Sequence, residues 1–198
     1  MSYKNAIDMI KKDKVPNSII FCGTEEYYID CAVDNIKEKY VEDDYETMNY
    51  MAFEKIENNF DDFFEFVSTF PFMSEKKVCV VKDAAFLTSA GSLNKNYEDK
   101  LLNIMDGNED CIIIFLIKGR KFDSRKKLVK RLKKENAAIE INKLNEIELS
   151  KYIVNKFKNH NLVINLSDAD YIANNSGYLE YESTISLYHV NNEIEKIA

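Results

Sequence analysis

The chain reads as an α/β protein: a mostly parallel five-stranded sheet with flanking helices, followed by a small helical domain. Three observations predict this. Five short apolar or β-branched runs alternate with helical patterns before residue 143, and alternation of that kind closes into a parallel sheet covered by helices. One run, Cys111-Ile112-Ile113-Ile114-Phe115-Leu116-Ile117, is apolar without a break, as a central strand covered on both faces must be. After Lys143 the strand signals stop and only helical spacing remains.

Each element follows from local pattern. Tyr3 to Lys14 reads as an amphipathic helix with Ala6, Met9 and Ile10 on one face, broken by Pro16-Asn17. Ser18 to Cys22 is the first strand. Gly23-Thr24-Glu25-Glu26 turns the chain into a helix with Tyr28, Cys31, Ala32 and Ile36 at helical spacing. Tyr45 to Met51 reads as a second strand with mixed alternation. Phe60, Phe63, Phe64 and Val67 form one face of a helix, which Pro71 prevents from continuing. Val78 to Val81 is the third strand, and Ser89 to Ser92 is a surface loop. Tyr97 to Met105 is helical, stopped by Asp106-Gly107-Asn108, and the fourth strand follows. Asp123 or Ser124 is expected to cap a helix from Arg125 to Lys134, before a last strand at Ala138 to Ile141.

The domain boundary is placed at 143: an α/β domain over 1–143 and a helical domain over 144–198. Asn145 with Glu148 three residues on reads as a capping box. Ser167 is expected to cap a second helix running through Asn174. A third starts after Gly177 and contains Ile185, Leu187, Tyr188, Val190, Ile194 and Ile197. Ala198 falls inside a charged helical pattern, so a fragment of a longer protein is expected.

The 198 residues are 45% hydrophobic and 31% charged, with a net charge of −7. The molecule as a whole is therefore no polyanion binder. The charge is uneven: Glu42 to Glu65 carries nine acidic residues and one lysine, and Lys118 to Lys134 ten basic residues and one aspartate. Cys22, Cys31, Cys79 and Cys111 show no CxxC spacing, and three of them sit in or beside apolar runs, as small buried hydrophobes do. No secretion signal is visible and the longest apolar run is too short to cross a bilayer. A cytoplasmic protein with no membrane association is expected.

Catalytic machinery is not apparent. Against the phosphate-loop pattern counted from Gly23, the second glycine position holds Tyr28, the lysine position Ile29 and the hydroxyl position Asp30. Glu25 and Glu26 add negative charge where phosphates need positive. His160 and His189 lack metal-ligand neighbours, and no G-x-S-x-G elbow occurs. The pairs Asp43-Asp44 and Asp61-Asp62 read as solvated surface. No catalytic residue, metal site or cofactor is expected.

Two stretches bear on binding. Thr69-Phe70-Pro71-Phe72-Met73-Ser74-Glu75-Lys76 joins a helix end to a strand. Its large apolar side chains either tuck under the sheet or form an exposed wedge for a partner's pocket. Burial of one contributes roughly 1.5–3 kcal/mol, so two or three are enough to dominate a small interface. In the basic run, Lys126, Lys127, Lys130, Arg131, Lys133 and Lys134 spread round a helix, with Leu128 and Leu132 left for packing. That surface is either simply solvated or meets nucleic-acid phosphates or an acidic subunit.

Four stretches together resemble the delta subunit of the bacterial DNA polymerase III clamp loader. They are Ile20-Phe21-Cys22-Gly23-Thr24-Glu25-Glu26-Tyr27-Tyr28-Ile29-Asp30, Phe70-Pro71-Phe72-Met73 continuing to Asp83, Phe122-Asp123-Ser124-Arg125-Lys126-Lys127-Leu128, and Leu144-Asn145-Glu146-Ile147-Glu148-Leu149. The resemblance implies an AAA+/RecA-like α/β domain without a working P-loop, then a helical lid, with the C-terminal collar domain absent. It implies a non-hydrolysing subunit of the DNA polymerase III holoenzyme that binds and opens the sliding clamp (the beta subunit). Other loader subunits would be met through the missing collar, and primer-template DNA is a further partner. Carried over by position, Pro71 and Phe72 take the wedge places, flanked by Phe70 and Met73. Pro71 stands where some relatives carry a bulky aliphatic residue, which shifts the wedge onto Phe72 and Phe70. Lys126, Lys127, Lys130 and Arg131 are the candidate DNA or subunit contacts. Two alternatives stand beside this reading: a divergent nucleotide-binding ATPase of the same fold, and a DNA-binding module using the basic helix.

Overall fold

The computed structural model describes residues 3–197. The expectation at Ala198 lies outside the described residues. The chain divides into two compact units: one holds the chain up to Thr24 and Ile29–Ile141, the other Glu25–Tyr28 and the chain from Asn142 onward.

The first unit is built on five strands: β1 (Ser18–Gly23), β2 (Tyr50–Phe53), β3 (Lys77–Val81), β4 (Cys111–Lys118) and β5 (Ala138–Glu140). Their order across the sheet is β2-β3-β4-β1-β5, and every pairing is parallel. The sequence predicts this sheet. The unbroken apolar run of β4 lies between β3 and β1, with Val80 and Ile19 both opposite Ile114, and Cys111 to Ile117 is buried throughout. Helices α1 (Tyr3–Lys11), α2 (Glu26–Tyr40), α3 (Glu46–Asn49), α4 (Phe60–Ser68), α5 (Lys95–Gly107) and α6 (Lys127–Lys134) complete the layers. Phe60, Phe63, Phe66 and Val67 of α4 join Leu101 and Ile104 of α5 in one core with Cys79, Val81, Ile113 and Phe115 of the sheet.

Three expectations are corrected in this unit. The second strand does not span Tyr45 to Met51. A 3-10 turn at Asp43–Tyr45 and the single helical turn of α3 come first, and only Tyr50–Phe53 pairs with β3. The first helix ends at Lys11, because Asp13 enters the left-handed region at φ 54° and Lys14 N–H donates back to Met9 O. The basic helix starts at Lys127, and neither Asp123 nor Ser124 caps it. The Asp123 carboxylate instead accepts from Arg125 N and Nε, both at 2.9 Å, and Asp123 O accepts from Lys126 N. These bonds form a turn whose last residue, Lys126, is extended (φ −62°, ψ 139°).

Gly23 closes β1 at φ +125°, and a methyl group on its Cα would lie 2.1 Å from Ile141 O. The sequence explains this glycine by the turn; the structure adds a backbone approach that no side chain permits. Cys22, Cys79 and Cys111 are buried free thiols and Cys31 is partly buried. Burial pushes the Cys111 thiol up to about 12, so it is an inert packing group.

The second unit contains α7 (Glu146–Asn159), α8 (Leu166–Asn175) and α9 (Leu187–Ile197), with no strand among its described residues. The Asn145–Glu148 capping box is present in both directions. Leu149, Ile153 and Phe157 pack with Ala169, Ala173, Tyr178, Leu187, Val190 and Ile194. Two expectations shift. Asn165, not Ser167, caps α8 by accepting from Asp168 N at 2.8 Å. The third helix starts only at Leu187, because residues 177–182 bend and turn from Gly177 at φ 72° and residues 183–186 are irregular. In the same unit Glu25 is wholly buried. It accepts from Tyr178 Oη at 2.6 Å, Tyr27 N at 3.2 Å and Leu187 N at 3.3 Å.

Candidate functional site

Helix α4 presents Phe60, Phe63, Phe66 and Val67 to the core, so its last turn is fixed in place. Asp61 and Asp62 in its first turn favour the positive end of the helix dipole. At the other end, orphan carbonyls find partners. Asn108 Nδ2 donates to Val67 O at 2.7 Å, and Thr69 Oγ1 donates to Phe66 O at 3.0 Å. The buried Lys77 brings its ammonium to Thr69 Oγ1 and 3.9 Å from the Phe66 ring centroid. Desolvation lowers the Lys77 pKa. No carboxylate pairs with this ammonium among the described residues, so the negative end of α4 is its electrostatic counterpart.

Beyond this anchored end the chain carries its apolar side chains into solvent. Phe70 is 82% exposed, Met73 67% and Phe72 51%. Pro71 is partly buried. The reading in which these side chains tuck under the sheet therefore fails for Phe70, Phe72 and Met73. A cleft of about 240 Å³ opens beside Phe70, lined on its far side by Ile104, Gly107, Asn108 and Asp110.

The backbone of this tip is held from outside. Phe72 N donates to Asn49 Oδ1 at 2.8 Å, and Asn49 Nδ2 lies 2.7 Å from Phe72 O. The same nitrogen reaches Ser74 Oγ at 2.9 Å and Tyr45 O at 3.1 Å. Ser74 Oγ also accepts from Glu42 N at 3.1 Å. Tyr45 meets the Phe72 ring edge-on, with centroids 5.4 Å apart. Asn49 is fully buried and was not visible as a site residue in the sequence, where it falls in a run that reads as strand. The signal was a lone amide between Met48 and Tyr50, flanked by residues of mixed alternation.

The basic helix divides differently from the sequence expectation. Leu128, Val129 and Leu132 are buried. Lys126 Nζ donates to Gly91 O at 2.6 Å. Arg131 pairs with Asp106 and Glu135 and donates to Met105 O. Lys127 and Lys130 are exposed, and their ammonium groups have no partner among the described residues. The structure thus leaves two of the four cations open to solvent and commits the other two to the chain itself. His160 and His189 are exposed, and no cluster among the described residues has the makings of a metal site.

Residues 19–142 match the family described as DNA polymerase III, delta subunit. The chain belongs to that family. It is 28% identical over 166 residues to the DNA polymerase III subunit delta of Bacillus subtilis, covering 82% of this chain and 48% of that one. It is similar to the solved structure of the Bacillus subtilis DNA clamp loader delta protein, with a TM-score of 0.74 and 25% identity, over 98% of this chain and 56% of that one. This delta-family chain therefore spans about half the length of the relatives it matches. It also shares a fold with the AMPPCP-bound DnaA of Aquifex aeolicus, at a TM-score of 0.56 and 14% identity over 98% of this chain and 59% of that one.

Proposed function

We propose that this chain binds the ring-shaped sliding clamp and helps to open it during DNA replication, with Phe70, Pro71, Phe72 and Met73 as the element that enters the clamp. The observation that carries this reading is the exposure of Phe70, Phe72 and Met73 at the end of a helix whose opposite face is locked in the core. An anchored helix with bare apolar side chains at its tip is costly in water and profitable only against a complementary pocket. The mechanism is differential affinity. A wedge that fits an opened or strained clamp interface better than a closed one shifts the clamp's population towards the open form.

In this reading the chain supplies no catalysis, and ATP-driven work comes from other subunits of the polymerase III holoenzyme in the cytoplasm. No helix among the described residues is long and apolar enough to cross a membrane. Titration against the cognate sliding clamp tests the proposal. Phe70→Ala combined with Phe72→Ala is expected to weaken binding at least about 30-fold, the loss typical of central apolar anchors. Unchanged affinity would remove these residues from the interface. A second contact, with DNA phosphates, is supported by the unpartnered ammonium groups of Lys127 and Lys130.

A further inference from the structure

We infer that Asn49 is a positioning residue that builds the tip in its binding shape before any partner arrives; this rests on the clamp-binding reading of Phe70 to Met73. The geometry is specific. One side-chain amide takes both the N–H and the C=O of Phe72, at 2.8 Å and 2.7 Å. That reciprocal pairing fixes the backbone at the centre of the exposed segment. It also fixes which way the amide faces, because only one orientation donates to the carbonyl and accepts from the N–H.

The next residue shows why such a hold is needed. Met73 sits at φ 53°, in the left-handed region, where a residue with a Cβ is strained by about 1 kcal/mol or more. An unrestrained tip would relax out of this turn. Its three exposed apolar side chains would then gain by folding down onto the protein surface. Asn49 opposes both. It is itself fixed, being fully buried and reaching Tyr45 O and Ser74 Oγ as well. The Ser74 hydroxyl is held in turn by Glu42 N. On the other side of the tip, Lys77 and Asn108 secure Thr69 and the end of α4. The exposed segment is thus pinned at both ends, and Asn49 is the pin nearest Phe72.

Pre-formed tips bind faster because a larger fraction of the free molecules is competent. Asn49 touches no partner in this scheme, so its loss acts on association. Loss of the phenylalanine rings acts on dissociation. Asn49→Ala is therefore expected to lower the association rate with the cognate sliding clamp about tenfold while leaving the dissociation rate nearly unchanged. In a Phe70→Ala, Phe72→Ala background the same change is expected to add little, because the rings it positions are gone.

A readout without the clamp is also at hand. The sequence contains no tryptophan, so Phe72→Trp places a single tryptophan at the tip, excited selectively at the red edge of the tyrosine absorption. Asn49→Ala in that background is expected to enlarge the fast component of its anisotropy decay in the free chain. Unaltered anisotropy and an unaltered association rate would overturn the role of Asn49. Should Asn49→Ala unfold the α/β unit, Asn49→Asp keeps the acceptor for Phe72 N–H and sets a carboxylate against Phe72 O. It is expected to give the same two changes without opening a cavity. The two claims separate cleanly. If the phenylalanine double variant loses binding and Asn49→Ala does not, only the positioning role fails. If neither variant loses binding, the clamp-binding reading fails.

Discussion

Glu25 stands in the turn after β1, and the fold places it wholly out of water. Burial raises its pKa above the ordinary 4.5. The bonds from Tyr178, Leu187 and Tyr27 and the nearby Lys143 ammonium oppose the rise without cancelling it. The unfolded chain therefore releases this proton at lower pH than the folded one. Glu25 favours the folded helical unit most below about pH 4.5. That contribution declines as pH climbs to the raised folded value and is flat beyond it. Glu25→Gln keeps the shape and removes the titration. The difference in unfolding free energy between the two chains, followed by urea denaturation from pH 4 to 8, is expected to shift in favour of the glutamine variant across that window. A difference that does not vary with pH would contradict it. The same contrast between residue type and environment appears at Phe63 and Phe70. Phe63 lies inside α4 and Phe70 two residues past its last residue, yet one is fully buried and the other almost fully exposed. Spacing places Phe63 on the inward face of α4 and Pro71 puts Phe70 at the helix end, but neither reveals that Phe70 stays in solvent.

Helix starts separate what pattern reveals from what tertiary bonds decide. The box at Asn145 was legible because Asn and Glu stand three apart before an apolar face, and both of its bonds form. The start of α8 was not. Asn165 and Ser167 are both good caps, and only the bond from Asp168 N selects Asn165. Asn165→Ala is expected to destabilise the helical unit by about 1 kcal/mol, whereas Ser167→Ala stays within about 0.5 kcal/mol. Chemical denaturation of the two variants checks this, and equal losses would contradict the assignment. At α6 the sequence named Asp123 or Ser124, but Arg125 takes the aspartate carboxylate first. The run from Tyr45 to Met51 misled for a related reason. Tyrosine and threonine suit a strand, yet only Tyr50–Phe53 pairs with β3. The preceding turn of helix is free to deliver Asn49 to the tip. Strands β1, β3 and β4 were legible because burial on both faces forces continuous apolarity, and that constraint is local.

The whole chain bears on the rival reading as a nucleotide-binding ATPase. Proteins of this architecture hold phosphate at the N-terminus of the helix after the first strand, on unpaired N–H groups. Here that helix begins with a carboxylate of its own, since Glu25 Oε1 accepts from Tyr27 N. The chain fills the anion position with its own side chain. One further feature works against phosphate. The position where the pattern requires a lysine is Ile29, which is buried and contributes neither charge nor reach. ATP would have to displace a buried carboxylate from its hydrogen bonds and bind without the expected cation. Saturating ATP with magnesium is therefore expected to move the melting temperature of the 198-residue chain by less than about 1 °C. A ligand at a hundred times its dissociation constant adds about 2.7 kcal/mol, or roughly 5–10 °C for a chain of this size. A shift of that order, measured by differential scanning calorimetry, would mean that Glu25 yields its place to a phosphate. The scaffold would then be a working nucleotide site rather than a rigid mount for the tip.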